Sequence, residues 1–192
     1  MDAGVAGVGV VATLVSNDAA AVRRFVRDSG PAGVVTKMFG APAICEQGGR
    51  RVALTRRLSG SDLGDLRGIE ATAHQFQRWS PKQHEARVIV IGRQVYVVAI
   101  RAGSHAARVD WRADYDALSY ERITPPTVVR RGVLAVMDDL CLVYGAFDFV
   151  ITPQGRWVFL EVNPGGQYGW LEDVAEVPLT ETMADLLAQG AA

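Results

Sequence analysis

Three times along this 192-residue chain, two strand-like runs flank a tight turn that carries glycine. Ala43-Ile-Cys and Arg51-Val-Ala-Leu-Thr flank Gln47-Gly48-Gly49; Ala86–Ile91 and Val95–Arg101 flank Gly92-Arg93-Gln94; Phe147–Thr152 and Trp157–Val162 flank Pro153-Gln-Gly155. Turns this short join antiparallel strands, because a parallel pair needs a crossover of a dozen or more residues. Helical spacing is scarcer. It runs through Val22, Phe25 and Val26 behind a cap at Asn17 or Asp18, through 127–143 (Val129, Val133, Val136, Leu140, Val143), and over 179–187. Val34–Phe39 and Ala73–Trp79 read as strands and Thr13-Leu-Val as a short one, whereas 58–67 and 102–126 read as irregular. Hairpins outnumber strand–helix–strand crossovers, so the predicted class is α+β with mainly antiparallel sheet.

Composition removes several function classes. Hydrophobic residues make up 49% of the chain, which fits a folded core and not a disordered tail. A formal net charge of -1 gives no basic excess for nucleic acid, and no polybasic run points to a membrane surface. No apolar run reaches the roughly 20 residues that a membrane-spanning helix needs. Cys45 and Cys141 form no CxxC pair, so the expectation is buried, reduced thiols in a cytoplasmic protein. Gly7-x-Gly9-x-x-Ala12 imitates a dinucleotide fingerprint, but that motif needs a strand ahead of it and a helix directly after, and too little chain precedes it.

Of the 20 basic residues 18 are arginine, and only Lys37 and Lys82 are lysine. A compact ammonium contacts phosphate differently from a planar guanidinium, which draws attention to Lys37 on its apolar strand. A buried Lys37 needs an anion such as a nucleotide phosphate; the alternative is an edge lysine reaching solvent.

The pattern richest in chemistry is Asp148 … Glu161-x-Asn163. Asp148 lies shortly before the last hairpin turn and Glu161 shortly after it, so a small register adjustment brings both carboxylates to one face. Glu161 and Asn163, two apart, share a face while the strand continues. Two carboxylates and an amide oxygen suit Mg²⁺, which fills its remaining positions with phosphate oxygens and water. The flanking Phe147, Phe149, Phe159 and Val162 make solitary carboxylates costly. An ordinary hairpin with solvated polar positions is the alternative. Phe76-Gln77-Arg78-Trp79 could form an adenine hinge or a plain strand end, and Glu85-x-Arg87 places an acid and a base on one face, for catalysis or as a surface ion pair. The Gln47-Gly48-Gly49 tip could offer backbone N–H groups to phosphate, or simply turn the chain.

Read in order, Val35-Thr-Lys37-Met, Phe76-Gln-Arg-Trp79, Glu85-Ala-Arg87-Val-Ile-Val-Ile-Gly92, Asp110-Trp-Arg112, Tyr144-Gly-Ala-Phe-Asp148 and Phe159-Leu-Glu161-Val-Asn163-Pro-Gly-Gly-Gln167 resemble the ATP-grasp superfamily. The nearest likeness is to its peptide maturases, the microviridin-type and graspetide ligases, and it runs from about Thr13 to Leu187. The resemblance implies two lobes of mainly antiparallel sheet flanked by helices, with ATP in the cleft between them: a lead-in over 1–12, an N-terminal lobe over 13–68 and a C-terminal lobe over 69–192. It implies ATP and Mg²⁺ as cofactors, Mg²⁺ held by Asp148, Glu161 and Asn163, and nucleotide contacts from Lys37, Gln77, Trp79 and Glu85. Arg87 would stabilise an acyl phosphate, and Asp110 and Arg112 would stand at the substrate mouth.

The implied reaction activates a side-chain carboxylate of a ribosomal precursor peptide and forms an ester or amide cross-link. Nucleic acid and membrane are not expected partners, and a homodimer stays open. Ligases of this kind begin with an upstream domain of about a hundred residues, for which no counterpart is found. The expectation is therefore a partial unit, completed by a separate chain or by residues upstream. Its alternative is a non-catalytic module that binds peptide or regulates another ligase. Arg78 stands where many superfamily members carry glutamate.

Overall fold

A computed structural model describes residues 8–39, 43–46, 49–52 and 54–190; for 43–46 and 49–52 the description is of the backbone. In chain order the strands are β1 (Gly9–Val10), β2 (Thr13–Ser16), β3 (Val34–Lys37), β4 (Ala43–Glu46), β5 (Gly49–Val52), β6 (Arg56–Arg57), β7 (His74–Arg78), β8 (His84–Ile91), β9 (Gln94–Ala102), β10 (Leu118–Arg122), β11 (Tyr144–Ile151) and β12 (Trp157–Asn163). The α-helices are α1 (Ala19–Ser29), α2 (Gly60–Gly64), α3 (His105–Val109), α4 (Thr127–Asp139), α5 (Gly169–Ala175) and α6 (Leu179–Ala188). Two compact units result.

The first unit holds β1, β8–β12 and α4–α6. Its sheet has the order β1-β12-β11-β8-β9-β10, antiparallel throughout except for the parallel β1–β12 edge. The β8–β9 turn uses Gly92 at φ +57°, a left-handed conformation that glycine adopts without strain. Strand alternation divides the side chains between two faces. On one, Ala86, Val88, Val90, Val97, Phe147 and Phe149 pack against Val129, Val133 and Met137 of α4. On the other, Ile89, Ile91, Val98 and Ala146 pack against Leu171 of α5 and Leu179 of α6.

The second unit holds β2–β7 and α1–α3. Its four-stranded sheet has the order β2-β7-β3-β6, and β4 and β5 form a separate hairpin. Asp18 caps α1 by accepting the Ala20 and Ala21 N–H groups, and Val22 packs with Val34, Phe76 and Ile69.

Mixed helices and antiparallel sheets agree with the predicted class. Several details differ. The 13–68 and 69–192 division assigns β7 to the later lobe, yet β7 lies between β2 and β3, in register with both. The 1–12 lead-in contains β1, paired with β12. The helix expected over 127–143 stops at Asp139; Cys141 takes φ +52°, outside helical space, and leaves Leu140 and Val143 exposed. Cys141 is itself exposed, against the expectation of a buried thiol. Residues 58–67 contain α2, capped by Ser59 and Asp62, and 102–126 contain α3 and β10. Among the described residues no helix is long and apolar enough to cross a membrane.

Candidate functional site

Asp148 on β11 lies directly opposite Arg87 on β8 and Glu161 on β12. Directly paired residues of antiparallel strands point to the same face with Cβ atoms about 5 Å apart, so Arg87, Asp148 and Glu161 form one row across three strands. Asn163, opposite Ala146, extends it on the same face. The row continues the face whose other half is closed by α5 and α6.

One irregularity makes this arrangement possible. In a regular β12, Trp157, Phe159, Glu161 and Asn163 would all share a face. The register shifts between Asp148, paired with Glu161, and Phe149, paired with Phe159. Leu160 is the surplus residue of the bulge. Trp157 and Phe159 therefore turn to Phe149, at ring distances of 5.4 and 5.6 Å, while Glu161 and Asn163 turn to the polar row.

Arg87 and Asp148 are both buried, 6% and 7% exposed. Arg87 Nη1 donates to Asp148 Oδ1 at 2.7 Å and Oδ2 at 2.8 Å, and Nη2 donates to the Gln167 carbonyl at 3.3 Å. Its buried Nε has no hydrogen-bond partner among the described residues. The residues assigned separately to catalysis and to metal are thus a direct ion pair here. Glu161 and Asn163 are exposed. Asn163 Oδ1 accepts the Gly165 N–H at 2.9 Å and keeps a second lone pair. Tyr144 donates to the Gly166 carbonyl. Burial pushes the Tyr144 hydroxyl up in pKa, with the Arg87 charge opposing.

Among the described residues no group of three or more His, Cys, Asp or Glu gathers to hold a metal. The donor chemistry of the row nevertheless fits Mg²⁺: hard oxygens only, two carboxylates and an amide, at the number of protein carboxylates that ion takes.

Glu85, two residues before Arg87, pairs with Lys82, and both side chains are largely buried. Lys82, one of the two lysines, carries no role in the sequence reading, although its place three residues ahead of Glu85 was an available signal. Tyr144 and Gly166 lie within quoted motifs but were given no role of their own, because the contact between them is non-local.

In the second unit, Lys37 pairs in register with Gln75, and Val35 with Gln77. This sets Lys37 and Gln77 on the face opposite Val34 and Phe76, which pack with α1. Gln77 is buried, and its Nε2 donates to Thr13 Oγ1 at 3.2 Å. The Arg57 guanidinium lies over the Trp79 ring at 5.0 Å. Gln47 and Gly48 of the proposed phosphate tip lie outside the described residues.

Asp110 and Arg112 are hydrogen-bonded to each other. Asp110 Oδ2 accepts the Thr55 N–H at 2.9 Å, and Oδ1 accepts the Arg112 N–H at 3.1 Å and Nη1 at 3.3 Å. The Arg112 guanidinium covers the Trp111 ring at 4.4 Å. Burial pushes the Asp110 carboxyl up in pKa, but the Thr55 N–H and the Arg112 charge outweigh it and hold it below the usual range. A depressed folded-state value stabilises the fold above the unfolded carboxylate pKa, and that contribution is lost as pH falls through the folded value. Asp110→Asn is expected to destabilise the fold by about 1–3 kcal/mol at neutral pH, because an amide donor would face N–H donors. In urea titrations the gap between wild type and variant should close as pH drops below the carboxylate range. A gap independent of pH would refute this role.

Among solved structures, a RiPP-associated ATP-grasp ligase from Chryseobacterium gregarium, in complex with ADP and a leader and core peptide, matches with a TM-score of 0.88 and 31% identity over 99% of this chain. The macrocyclase MdnC from Microcystis aeruginosa MRC, bound with precursor peptide MdnA, matches with a TM-score of 0.85 and 29% identity over 98%. ATP-grasp ligase PsnB complexed with minimal precursor gives a TM-score of 0.74 and 27% identity over 97%. The chain spans 58%, 57% and 56% of these proteins, a little over half their length. N5-carboxyaminoimidazole ribonucleotide synthetase, at 18% identity over 84% of this chain and 42% of that one, has a TM-score of 0.56 and shows a shared fold alone. No protein-family model and no curated protein matches the chain. Architecture and likeness agree: this chain has the ATP-grasp fold, and the proteins it resembles are ATP-grasp ligases associated with ribosomally made peptides.

Proposed function

We propose that this chain carries the Mg²⁺–ATP site of a ligase that activates a side-chain carboxylate of a precursor peptide. The observation that carries the reading is the row of Arg87, Asp148 and Glu161 on one sheet face, with Asn163 beside it. The neighbours solved with nucleotide and with peptide support it. Asp148, Glu161 and Asn163 would hold Mg²⁺, which when bound neutralises phosphate charge. Lys37 would contact phosphate, Gln77 and Trp79 the base, and Glu85 the ribose. Asp110 and Arg112 would stand near the substrate.

In the proposed reaction a substrate carboxylate oxygen attacks the γ-phosphorus, the bond to the β-phosphate oxygen breaks, and ADP leaves. A peptide hydroxyl or amine then attacks the acyl carbon and phosphate departs, with one proton released, leaving an ester or amide. Arg87 contributes positive charge beside the transferring phosphoryl group, fixed in place before the reaction.

Titration of the full chain with Mg–ATP, followed by tryptophan fluorescence, tests this. Wild type should show saturable binding that depends on Mg²⁺, and Asp148→Asn or Glu161→Gln should weaken it at least about tenfold, as loss of a charged ligand does. Folded protein that gives no response by fluorescence or calorimetry overturns the reading.

A further inference from the structure

We infer that Tyr144 is a positioning residue: its hydroxyl holds the turn after β12 against Arg87, and so orients the groups that the reading above assigns to Mg²⁺–nucleotide, on which this inference rests. Tyr144 opens β11, opposite Ile91, on the same face as Ala146 and Asp148. Its hydroxyl donates to the Gly166 carbonyl. Gly166 is wedged between Ala146 and Arg87: a Cβ there would stand 2.6 Å from the Ala146 Cβ and 2.9 Å from Arg87 Nη2. The next carbonyl, of Gln167, accepts Arg87 Nη2.

Within the turn the Gly166 N–H reaches the Asn163 carbonyl at a long 3.3 Å, and the Gly165 N–H reaches the Asn163 side chain. The bond at Gly166 itself is thus a long one, and the tyrosine adds an anchor from that residue to the sheet. Arg87 feels this directly. With Nε unpartnered, its guanidinium is fixed by Asp148 through Nη1 and by the turn through Nη2. A turn that drifts would release one side of the guanidinium and carry Asn163 with it. The Tyr144 ring also packs on Tyr168, with centroids 5.7 Å apart, so a phenylalanine keeps the packing and removes only the anchor.

The test compares wild type with Tyr144→Phe as full chains. Amide hydrogen exchange should accelerate about fivefold or more in peptides covering 163–168, the scale of one lost hydrogen bond, with little change elsewhere and a thermal midpoint near that of wild type. Mg–ADP affinity should fall by a similar factor. Unchanged exchange over 163–168 overturns the anchor, whatever happens with nucleotide. Accelerated exchange with unchanged Mg–ADP affinity overturns the positioning role. Wild type that fails to bind Mg–ADP sinks the functional reading and the positioning role with it, while the exchange measurement still decides whether the tyrosine holds the turn.

Discussion

Replacing Arg87 with methionine is expected to cost about 3–5 kcal/mol of folding stability, because it breaks a buried ion pair by removing one member. Asp148 would lose its direct guanidinium partner: it is 7% exposed, and both its oxygens accept from Arg87 Nη1. The urea midpoint should fall sharply. A second substitution separates stability from function. Asp148→Asn in the Arg87→Met background removes the second charge of the pair and should recover part of the lost stability, with non-additivity of the size seen for residues in contact. Nucleotide binding should stay lost in the double variant, because both proposed roles are gone. Arg87→Lys should recover little binding, since an ammonium lacks the planar fork that reaches Asp148 and the Gln167 carbonyl together. A methionine variant as stable as wild type would show that the pair contributes no net stability.

Gly166→Ala is the second large effect. The added Cβ would meet the Ala146 Cβ at 2.6 Å, Arg87 Nη2 at 2.9 Å and the Asn163 carbonyl at 3.3 Å. The Ala146 methyl has no rotamer to escape into, so the turn itself must lift. Overpacking of this kind costs about 1–3 kcal/mol. Lifting the turn also separates the Gln167 carbonyl from Arg87, so Mg–nucleotide affinity should fall at least about tenfold, more than a single hydrogen bond accounts for. Glycine at 165 offers a control. There an added Cβ meets, among the described residues, Asn163 Oδ1 alone, at 3.8 Å, and Gly165→Ala should be close to neutral in both measurements. Equal behaviour of the two alanine variants would rule out steric seating of the turn.

Much of this was legible in the sequence, for reasons that are local. Hairpins announce themselves through short glycine-bearing turns between β-branched runs, and those at 92–94 and 153–155 are found where expected. The carboxylates of the last hairpin do share a face. What stayed hidden is non-local. Nothing near Arg87 reveals that a strand 61 residues later brings Asp148 opposite it. β7 cannot be assigned to its sheet from its own residues, because its neighbours β2 and β3 are set by packing around α1. β10 is a short edge strand whose Leu118-Ser119-Tyr120-Glu121 alternation covers only four residues, too brief to stand out from its irregular surroundings. The link from Asp110 and Arg112 to Thr55, 55 residues before Asp110, is likewise invisible in their own run of sequence.

The surplus residue at Leu160 has a wider implication. It lets a single strand answer two unrelated demands, since the aromatic positions before it and the oxygen donors after it no longer share a parity. Residues on either side can drift independently: a change of ring size at 157 or 159 alters how the interior fills without rotating the donors at 161 and 163. A chain read by strict odd–even counting would place carboxylates among the rings and discard the strand as incoherent, and similar tryptophan–phenylalanine–glutamate runs should be tested for such an offset first.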